Sequence, residues 1–156
     1  MRCVIQRSGP ASVTVAGRVT GRIASGLVVL AAFAPGDTEA DLAWLAHKLP
    51  RLRIFNDDAG KMNRALRDVG GGILLVSQFT LYGDVRKGLR PSYIGSAPPE
   101  EARRLYGLFG DLLRRQWPDV AEGEFGAMMR VDLVNDGPVT LILDRPETGA
   151  RGGEAT

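Results

Sequence analysis

Residues 131–144 read VDLVNDGPVTLILD, and this stretch decides how the end of the chain folds. Apolar and polar residues alternate on both sides of residues 135–138, so the pattern predicts two strands, at about 124–135 and 139–144. The Asn-Asp-Gly-Pro segment between them is unsuited to the middle of a regular strand, because proline donates no ladder hydrogen bond. A tight hairpin needs only Asn-Gly or Asp-Gly. The proline after the glycine therefore requires a further explanation.

Gly137 and Pro138 combine the most permissive backbone with the most restricted one. Glycine reaches positive φ without steric cost, whereas proline holds φ near −65°. The peptide bond between them is trans by default, because only about 5% of such bonds in folded proteins are cis. In the cis form both carbonyl groups could be turned to one side of a rigid frame. The residues alone leave an ordinary turn and a rigid main-chain wall open.

Short runs rich in Val, Ile and Thr predict that the first half of the chain is mainly β. The predicted strands are 3–7, 12–17, 19–24, 26–33 and 73–81. The run 26–33 is apolar throughout, so we expect both of its faces to be covered. Residues 51–63 predict another strand, a polar turn at 56–60 and a returning strand.

Two stretches, 38–49 and 98–117, have apolar residues at helical spacing. Many short strands with two main helices predict an α+β fold, in which a curled, barrel-like, mostly antiparallel sheet is the central element. Residues 1–144 are predicted to form a single domain. The tail, residues 145–156, has almost no apolar residues and is predicted to be disordered.

The composition limits the possible functions. The chain has 156 residues, 44% of them hydrophobic, which is enough for one core. Its 20 Lys and Arg against 18 Asp and Glu permit an RNA partner without arguing for one. One histidine, His47, and one cysteine, Cys3, cannot build a His/Cys zinc site. With no signal peptide and no apolar run long enough to cross a membrane, the chain is predicted to be soluble and cytoplasmic.

Four polar or aromatic residues follow the apolar part of the predicted strand 73–81. Alternation would place Ser77 and Phe79 on one face, and Gln78 and Thr80 on the other. The stretch is either a polar strand end or a pocket floor, with Thr80 as a nucleophile or with backbone N–H groups as an oxyanion hole. A threonine nucleophile needs an adjacent base, and the sequence offers few candidates.

The long loop that follows carries Arg86, Lys87 and Arg90 in the sequence DVRKGLRPS, residues 84–92. Such a loop is either simply solvated or a contact for the phosphates of a nucleic acid. Met62 lies beside a polar turn, where it either packs or lines a pocket.

Several motifs together resemble one family, and they are collinear from Met1 to about Asp144. They are QR at 6–7, ASVTV at 11–15, VTGRI at 19–23, RIF at 53–55, GKMN at 60–63, SQFTL at 77–81, RPS at 90–92 and NDGPVT at 135–140. This set is similar to that of the D-aminoacyl-tRNA deacylases, and the SQFTL and NDGPVT motifs are specific to them. The tail after Asp144 has no counterpart.

The resemblance implies a homodimeric enzyme with a barrel-like α+β fold. Such an enzyme hydrolyses the ester between a D-amino acid, or mischarged glycine, and the 3′ end of tRNA. The resemblance implies no metal or other cofactor, no membrane and no DNA partner. It also implies that the ribose 2′-hydroxyl of the tRNA helps to activate the attacking water.

The resemblance further implies where the site lies. Ser77, Gln78, Phe79 and Thr80 would form the catalytic pocket floor. Gly137 and Pro138, joined by a cis bond, would enter the pocket of the partner subunit, with Arg7 orienting them and Met62 lining the pocket. Two other functions stay open: an esterase with Thr80 as nucleophile, and a non-catalytic RNA-binding dimer that uses Arg86, Lys87 and Arg90.

Overall fold

The computed structural model describes residues 1–145, and its sheet is organised around one pair of long strands. β1 (Arg2–Val15) and β8 (Met129–Asp144) run antiparallel and pair along most of their length. The two strands predicted at 3–7 and 12–17 are both parts of β1, with an irregularity between Ser8 and Ala11. The predicted disordered tail lies outside the described residues except for Arg145.

The prediction of two separate strands around residues 135–138 is wrong, because β8 continues in one direction through this segment. Asn135 lies opposite Ser8 and Thr140 lies opposite Gln6, so residues 136–139 stand against the single residue Arg7. The chain does not reverse here because both flanking runs pair with the same strand, β1. The surplus residues leave the ladder, and we call residues 136–139 the bulge.

The remaining strands curl the sheet into a nearly closed, barrel-like form, as predicted. They are β2 (Arg18–Ile23), β3 (Gly26–Ala32), β6 (Gly72–Ser77) and β7 (Val120–Glu122), in the order β2-β1-β3-β6-β7, with β8 on the other edge of β1. The β3–β6 and β6–β7 pairs are parallel, and the others are antiparallel. The predicted hairpin after the first helix is also present, as β4 (Phe55–Asn56) and β5 (Met62–Arg64).

Both predicted helices form close to their expected bounds. α1 (Glu39–Lys48) begins after Thr38, whose hydroxyl accepts from the Asp41 N–H at 3.3 Å while the Asp41 carboxylate accepts from the Thr38 N–H at 2.8 Å. α3 (Pro99–Gln116) begins with a proline and ends before Trp117. The short α2 (Leu66–Val69) was not predicted, because one turn carries no periodic signal. No helix within residues 1–145 is long and apolar enough to span a membrane.

Two apolar cores lie on opposite faces of the sheet, and the long strand pair passes from one to the other. Near the bulge's C-terminal side, Leu141 and Leu143 of β8 pack with Cys3 and Ile5 into the core under α1 and α3. Before the bulge, the inward-facing residues of β8 pack into the second core, inside the barrel. These are Met129, Val131 and Leu133. β3 contributes to both cores, so the expectation that both of its faces are covered is confirmed.

The barrel closes where β2 lies against β7, and this contact requires a glycine. A Cβ atom built on Gly21 would lie 2.5 Å from the carbonyl oxygen of Glu122, closer than any stable contact allows. Because the obstacle is main chain held in a strand, it cannot move aside by changing a rotamer. Gly21 therefore sets how closely the two strands approach.

We expect Gly21→Ala to lower the free energy of unfolding by about 1–3 kcal/mol, since the added methyl group overpacks this contact. The matched control is Gly107→Ala, on the exposed side of α3, where an added Cβ meets nothing within 4 Å. There the substitution should stabilise the protein by about 0.5–1 kcal/mol. Urea unfolding at one protein concentration measures both. Equal effects at the two positions would show that the barrel is not closed at Gly21.

Candidate active site

A cavity of about 630 Å³ opens where β6 ends, and it brings four of the predicted site residues together. Ser77, Gln78, Phe79 and Thr80 all line it. Its other walls come from β3, the start of α3 and the segment before β8. The residues concerned are Ala31, Ala32, Phe33, Val76, Ala97, Pro99, Ala102, Phe125, Gly126, Ala127, Met128, Met129 and Val131. The lining is therefore mainly apolar, with a few polar groups at one end.

The predicted strand 73–81 is four residues too long, because β6 ends at Ser77 and a turn of 3₁₀-helix follows at Phe79–Tyr82. The alternation of faces expected from Ser77 to Thr80 is therefore wrong. Gln78 is the last residue held by the sheet, since its N–H donates to the carbonyl of Ala31 at 2.8 Å. Polar and aromatic side chains gather here because the chain leaves the sheet.

Two backbone N–H groups at this turn have no acceptor in the part of the chain that the structure describes. The first N–H groups of a helix lack partners within the helix. Leu81 is the first residue of this turn whose N–H is bonded, to the Gln78 carbonyl at 3.2 Å. The N–H groups of Phe79 and Thr80 find no acceptor among residues 1–145. Phe79 and Thr80 both line the cavity, so their N–H groups are candidates to stabilise negative charge on a bound group.

The side chain of Thr80 is not placed as a nucleophile. Its hydroxyl oxygen accepts a hydrogen bond from the side-chain amide of Gln78. An amide N–H cannot take the proton that a nucleophilic hydroxyl must lose. Phe79 is half exposed, its ring packs edge-on against Tyr93 with centroids 5.1 Å apart, and its carbonyl accepts from the Ser96 hydroxyl at 2.9 Å.

The bulge is held by the buried side chain of Arg7, which is 6% exposed. Its Nε donates to the carbonyl of Asp136 at 2.9 Å. Its Nη1 donates to the carbonyl of Ile54 at 2.8 Å and to the side-chain oxygen of Asn56 at 3.1 Å. One guanidinium thus joins the bulge to the β4–β5 hairpin.

The bulge is also braced from within. The Asn135 side chain accepts from the N–H of Val139 at 3.2 Å and donates to the hydroxyl of Thr140 at 3.1 Å. Gly137 has φ of 131°, and a Cβ built on it would lie 2.8 Å from Nη2 of Arg7, so only glycine fits beside the guanidinium. The Gly137–Pro138 peptide bond is cis, as the resemblance implies.

None of Arg7, Met62, Gly137 and Pro138 lines the 630 Å³ cavity of its own chain. Met62 lies on β5 with 57% of its surface exposed, opposite Asn56. These residues form a second group around the bulge, separate from the cavity floor.

The basic loop carries less free charge than its sequence indicates. Arg86 is paired with Asp84 at 2.6 Å, and this partner lowers the pKa of the Asp84 carboxyl to about 2. Asp84 and Ser92 also bond each other's backbone at 2.8 and 2.9 Å, which closes the loop. Lys87 and Arg90 are exposed.

The cysteine and the possible metal ligands that the sequence offered are not part of the cavity. Cys3 is fully buried on β1, and burial raises the pKa of its thiol to about 12, so it packs as a small apolar residue. Among the described residues, no group of three or more His, Cys, Asp or Glu side chains is placed to hold a metal ion.

Comparison with known proteins shows to which family the chain is related. The family described as D-Tyr-tRNA(Tyr) deacylase matches residues 4–144. The D-aminoacyl-tRNA deacylase of Syntrophobacter fumaroxidans is 58% identical over 144 residues, which cover 92% of this chain and 97% of that protein. The one from Deinococcus deserti is 56% identical over 146 residues, covering 94% and 100%. The chain belongs to this family.

The solved structure of a protein called c-Myc DNA Unwinding Element Binding Protein is also similar to this member of the deacylase family. It is 39% identical, has a TM-score of 0.87, and is matched over 94% of this chain and 99% of that one. The family recognised from the sequence, its enzyme class and the barrel-like α+β fold are thereby confirmed.

Two features of the candidate site were missed from sequence. The aromatic walls Phe33 and Phe125 come from segments far from residues 77–80, and the acceptors of Arg7 at Ile54 and Asn56 lie on a different hairpin. The RIF motif at 53–55 contains Ile54, but a sequence motif does not indicate that the Ile54 carbonyl accepts a hydrogen bond from Arg7.

We expect Arg7→Met to lower the free energy of unfolding by about 2–4 kcal/mol. The thioether fills much of the space but leaves the buried Ile54 carbonyl without its donor. Arg18→Met is the control, because Arg18 is 69% exposed and makes a surface ion pair with Glu124 at 3.0 Å, so its loss should cost less than about 1 kcal/mol. Urea unfolding measures the free energy of unfolding of both variants. Equal losses in the two variants would contradict the role given to Arg7.

Proposed function

We propose that the chain hydrolyses the ester between a D-amino acid and the 3′ end of tRNA, and releases the free amino acid and the tRNA. It also acts on mischarged glycine, and it works in the cytoplasm. One observation carries the proposal. In a chain of this family, Ser77, Gln78, Phe79 and Thr80 line one apolar cavity, and the backbone N–H groups of Phe79 and Thr80 have no acceptor among residues 1–145.

The chemistry needs little from side chains, because an aminoacyl ester is already activated. Water adds to the ester carbonyl carbon, and the negative charge on the carbonyl oxygen is stabilised by the N–H groups of Phe79 and Thr80. The bond to the ribose oxygen then breaks, and that oxygen takes up a proton. The adjacent ribose hydroxyl activates the water, so the protein supplies position and an oxyanion site. The Gln78–Thr80 bond keeps the turn in this conformation.

Chirality is selected by obstruction from the bulge. Rejecting abundant L-aminoacyl-tRNA needs discrimination of about 10³–10⁴-fold, which is about 4–5.5 kcal/mol. One contact in a soft apolar pocket supplies only about 1–3 kcal/mol. A main-chain wall held by Arg7 and Asn135 cannot yield by changing a rotamer, so it rejects the volume in which an L side chain begins. Glycine has no side chain, and such a wall accepts it.

The wall acts in the pocket of a second copy of the chain. Gly137 and Pro138 are exposed and line no part of their own cavity, so a wall made from them must meet another subunit's cavity. The outer face of β8 beside them exposes Val134 and Ile142, by 59% and 64%. An exposed apolar strand face next to the bulge supports a homodimer with its active sites at the subunit interface.

The direct test measures release of tyrosine from D-Tyr-tRNA and from L-Tyr-tRNA by the purified protein. We expect D-Tyr-tRNA to be hydrolysed at least about 10³ times faster, since the wall excludes the L side chain. Salt-sensitive binding of tRNA without release of D-tyrosine would instead identify a non-catalytic RNA-binding module that uses Arg86, Lys87 and Arg90.

A second test separates water activated by the tRNA from a threonine nucleophile. Thr80→Ala keeps the backbone N–H and should retain most activity, with a kcat at least about half that of the wild-type protein. A substrate whose terminal adenosine lacks the free 2′-hydroxyl should lose activity by about 10² or more. Single-turnover rates measure both. A well-folded Thr80→Ala protein with no turnover would establish Thr80 as the nucleophile.

A further inference from the structure

A second cavity, of about 490 Å³, lies behind the β4–β5 hairpin and is rich in arginine. Arg51, Arg53 and Arg67 line it, together with Asn63 and Asp68. Arg51 and Arg53 lie two residues apart in the connection from α1 to β4, and Arg67 comes from α2. We call this cavity the arginine groove.

Two of the three guanidinium groups are oriented by neutral acceptors. Nη1 of Arg51 donates to the carbonyl of His47 at 2.7 Å and to the side-chain oxygen of Gln116 at 3.1 Å. Nε of Arg53 donates to the carbonyl of Asn63 at 2.9 Å, and its Nη2 donates to the Asn63 side chain. Each guanidinium is therefore held in place while other N–H donors stay available.

The groove keeps most of its positive charge. Within residues 1–145, neither Arg51 nor Arg53 has a carboxylate within 4 Å. The one lining acid, Asp68, accepts from the N–H of Ala65 at 2.7 Å and lies 3.6 Å from Nε of Arg67. Three cations thus face one carboxylate that is already engaged. The basic loop has the same balance of three cations and one carboxylate, but there Arg86 pairs tightly with Asp84 at 2.6 Å, whereas Arg51 and Arg53 are held by neutral partners.

We propose that the arginine groove binds the phosphodiester backbone of the tRNA substrate. The inference rests on the proposed function, and it adds the surface on which the RNA outside the cavity lies. Arginine forks match phosphate oxygens, and an open groove with several oriented guanidiniums suits an extended polyanion. The exposed positions of Arg51, Arg53 and Arg67 allow a backbone to pass across them.

The position of the groove connects it with the bulge. Asn63, which orients Arg53, is adjacent to Met62 on β5, and β5 pairs with β4. Asn56 of β4 in turn binds Arg7, which holds the bulge. RNA bound in the groove therefore lies beside the segment that selects chirality. Since the bulge serves the cavity of a second copy, the groove of one subunit supports the tRNA whose 3′ end is hydrolysed in the other.

The experiment compares two triple variants that remove the same charge. Arg51→Gln/Arg53→Gln/Arg67→Gln changes the groove, and Arg86→Gln/Lys87→Gln/Arg90→Gln changes the basic loop. Binding of uncharged tRNA is measured by fluorescence anisotropy from 50 to 200 mM salt. We expect the groove variant to reduce the slope of log K against log salt by about 2–3 and the loop variant by about 1, because each lost phosphate contact removes about one counterion.

A kinetic readout separates positioning of the RNA from damage to the site. The ratio of kcat/KM for D-Tyr-tRNA to that for 3′-O-(D-tyrosyl)adenosine should fall about tenfold or more in the groove variant at 100 mM salt, because only the tRNA reaches the groove. Arg18→Gln, an exposed arginine elsewhere, should leave this ratio unchanged. If the triple variant does not fold, as judged by thermal unfolding, the single variant Arg53→Gln is measured against Arg18→Gln.

Three results would overturn the inference. One is a groove variant with the wild-type salt slope and kinetic ratio while the wild-type protein hydrolyses D-Tyr-tRNA. Another is a larger effect of the loop variant than of the groove variant. The third is full displacement of tRNA by inorganic phosphate at constant ionic strength, which would identify a site for small anions. If the wild-type protein hydrolyses no D-Tyr-tRNA, the proposed function itself fails, which is a different result.

Discussion

The buried guanidinium of Arg7 is the interaction on which the arrangement around the site depends. It donates to main-chain carbonyls of two segments far apart in the sequence, the bulge and the approach to the β4–β5 hairpin. Burial makes the bond to Ile54 necessary, because a carbonyl deprived of its donor there would have no water to replace it. The position of the bulge is thus determined by the sheet and by the hairpin together. If the bulge shifts, Arg7 either loses the Asp136 carbonyl or moves with it and loses the Ile54 carbonyl.

In the candidate site, main-chain groups are the ones placed to contact the substrate, and side chains support them. Main-chain N–H groups at the cavity wall are the candidate oxyanion donors, and main-chain atoms of the bulge are the candidate selecting surface. Side chains such as Gln78, Asn135 and Arg7 act one step away, by holding these main-chain groups in place. An ester substrate permits this division, because its hydrolysis requires position and charge stabilisation more than a strong base.

The sequence predicted the local elements well and the long-range pairings poorly. Helical spacing located α1 and α3 within about two residues, and the apolar run of β3 correctly indicated cover on both faces. The alternation of apolar and polar residues could not show that the runs before and after residues 135–138 pair with the same strand. It also could not show that β6 ends at Ser77. The hydrogen-bond partners of Arg7, and the position of Arg67 beside Arg51 and Arg53, depend on tertiary contacts. Such contacts produce no periodic pattern in the sequence.

The bulge has a consequence for how the gene for such a chain can change length. A surface loop between two elements tolerates added or deleted residues. Residues 136–139 differ from such a loop because the strand resumes beyond them, with Leu141 and Leu143 packed in a core. If a lost or gained codon there shifted the following strand by one residue, these side chains would turn towards solvent, since alternate residues of a strand point to opposite faces. Replacing residues in this candidate selecting segment therefore leaves the strand register unchanged, whereas a change in its length must be absorbed within the bulge itself.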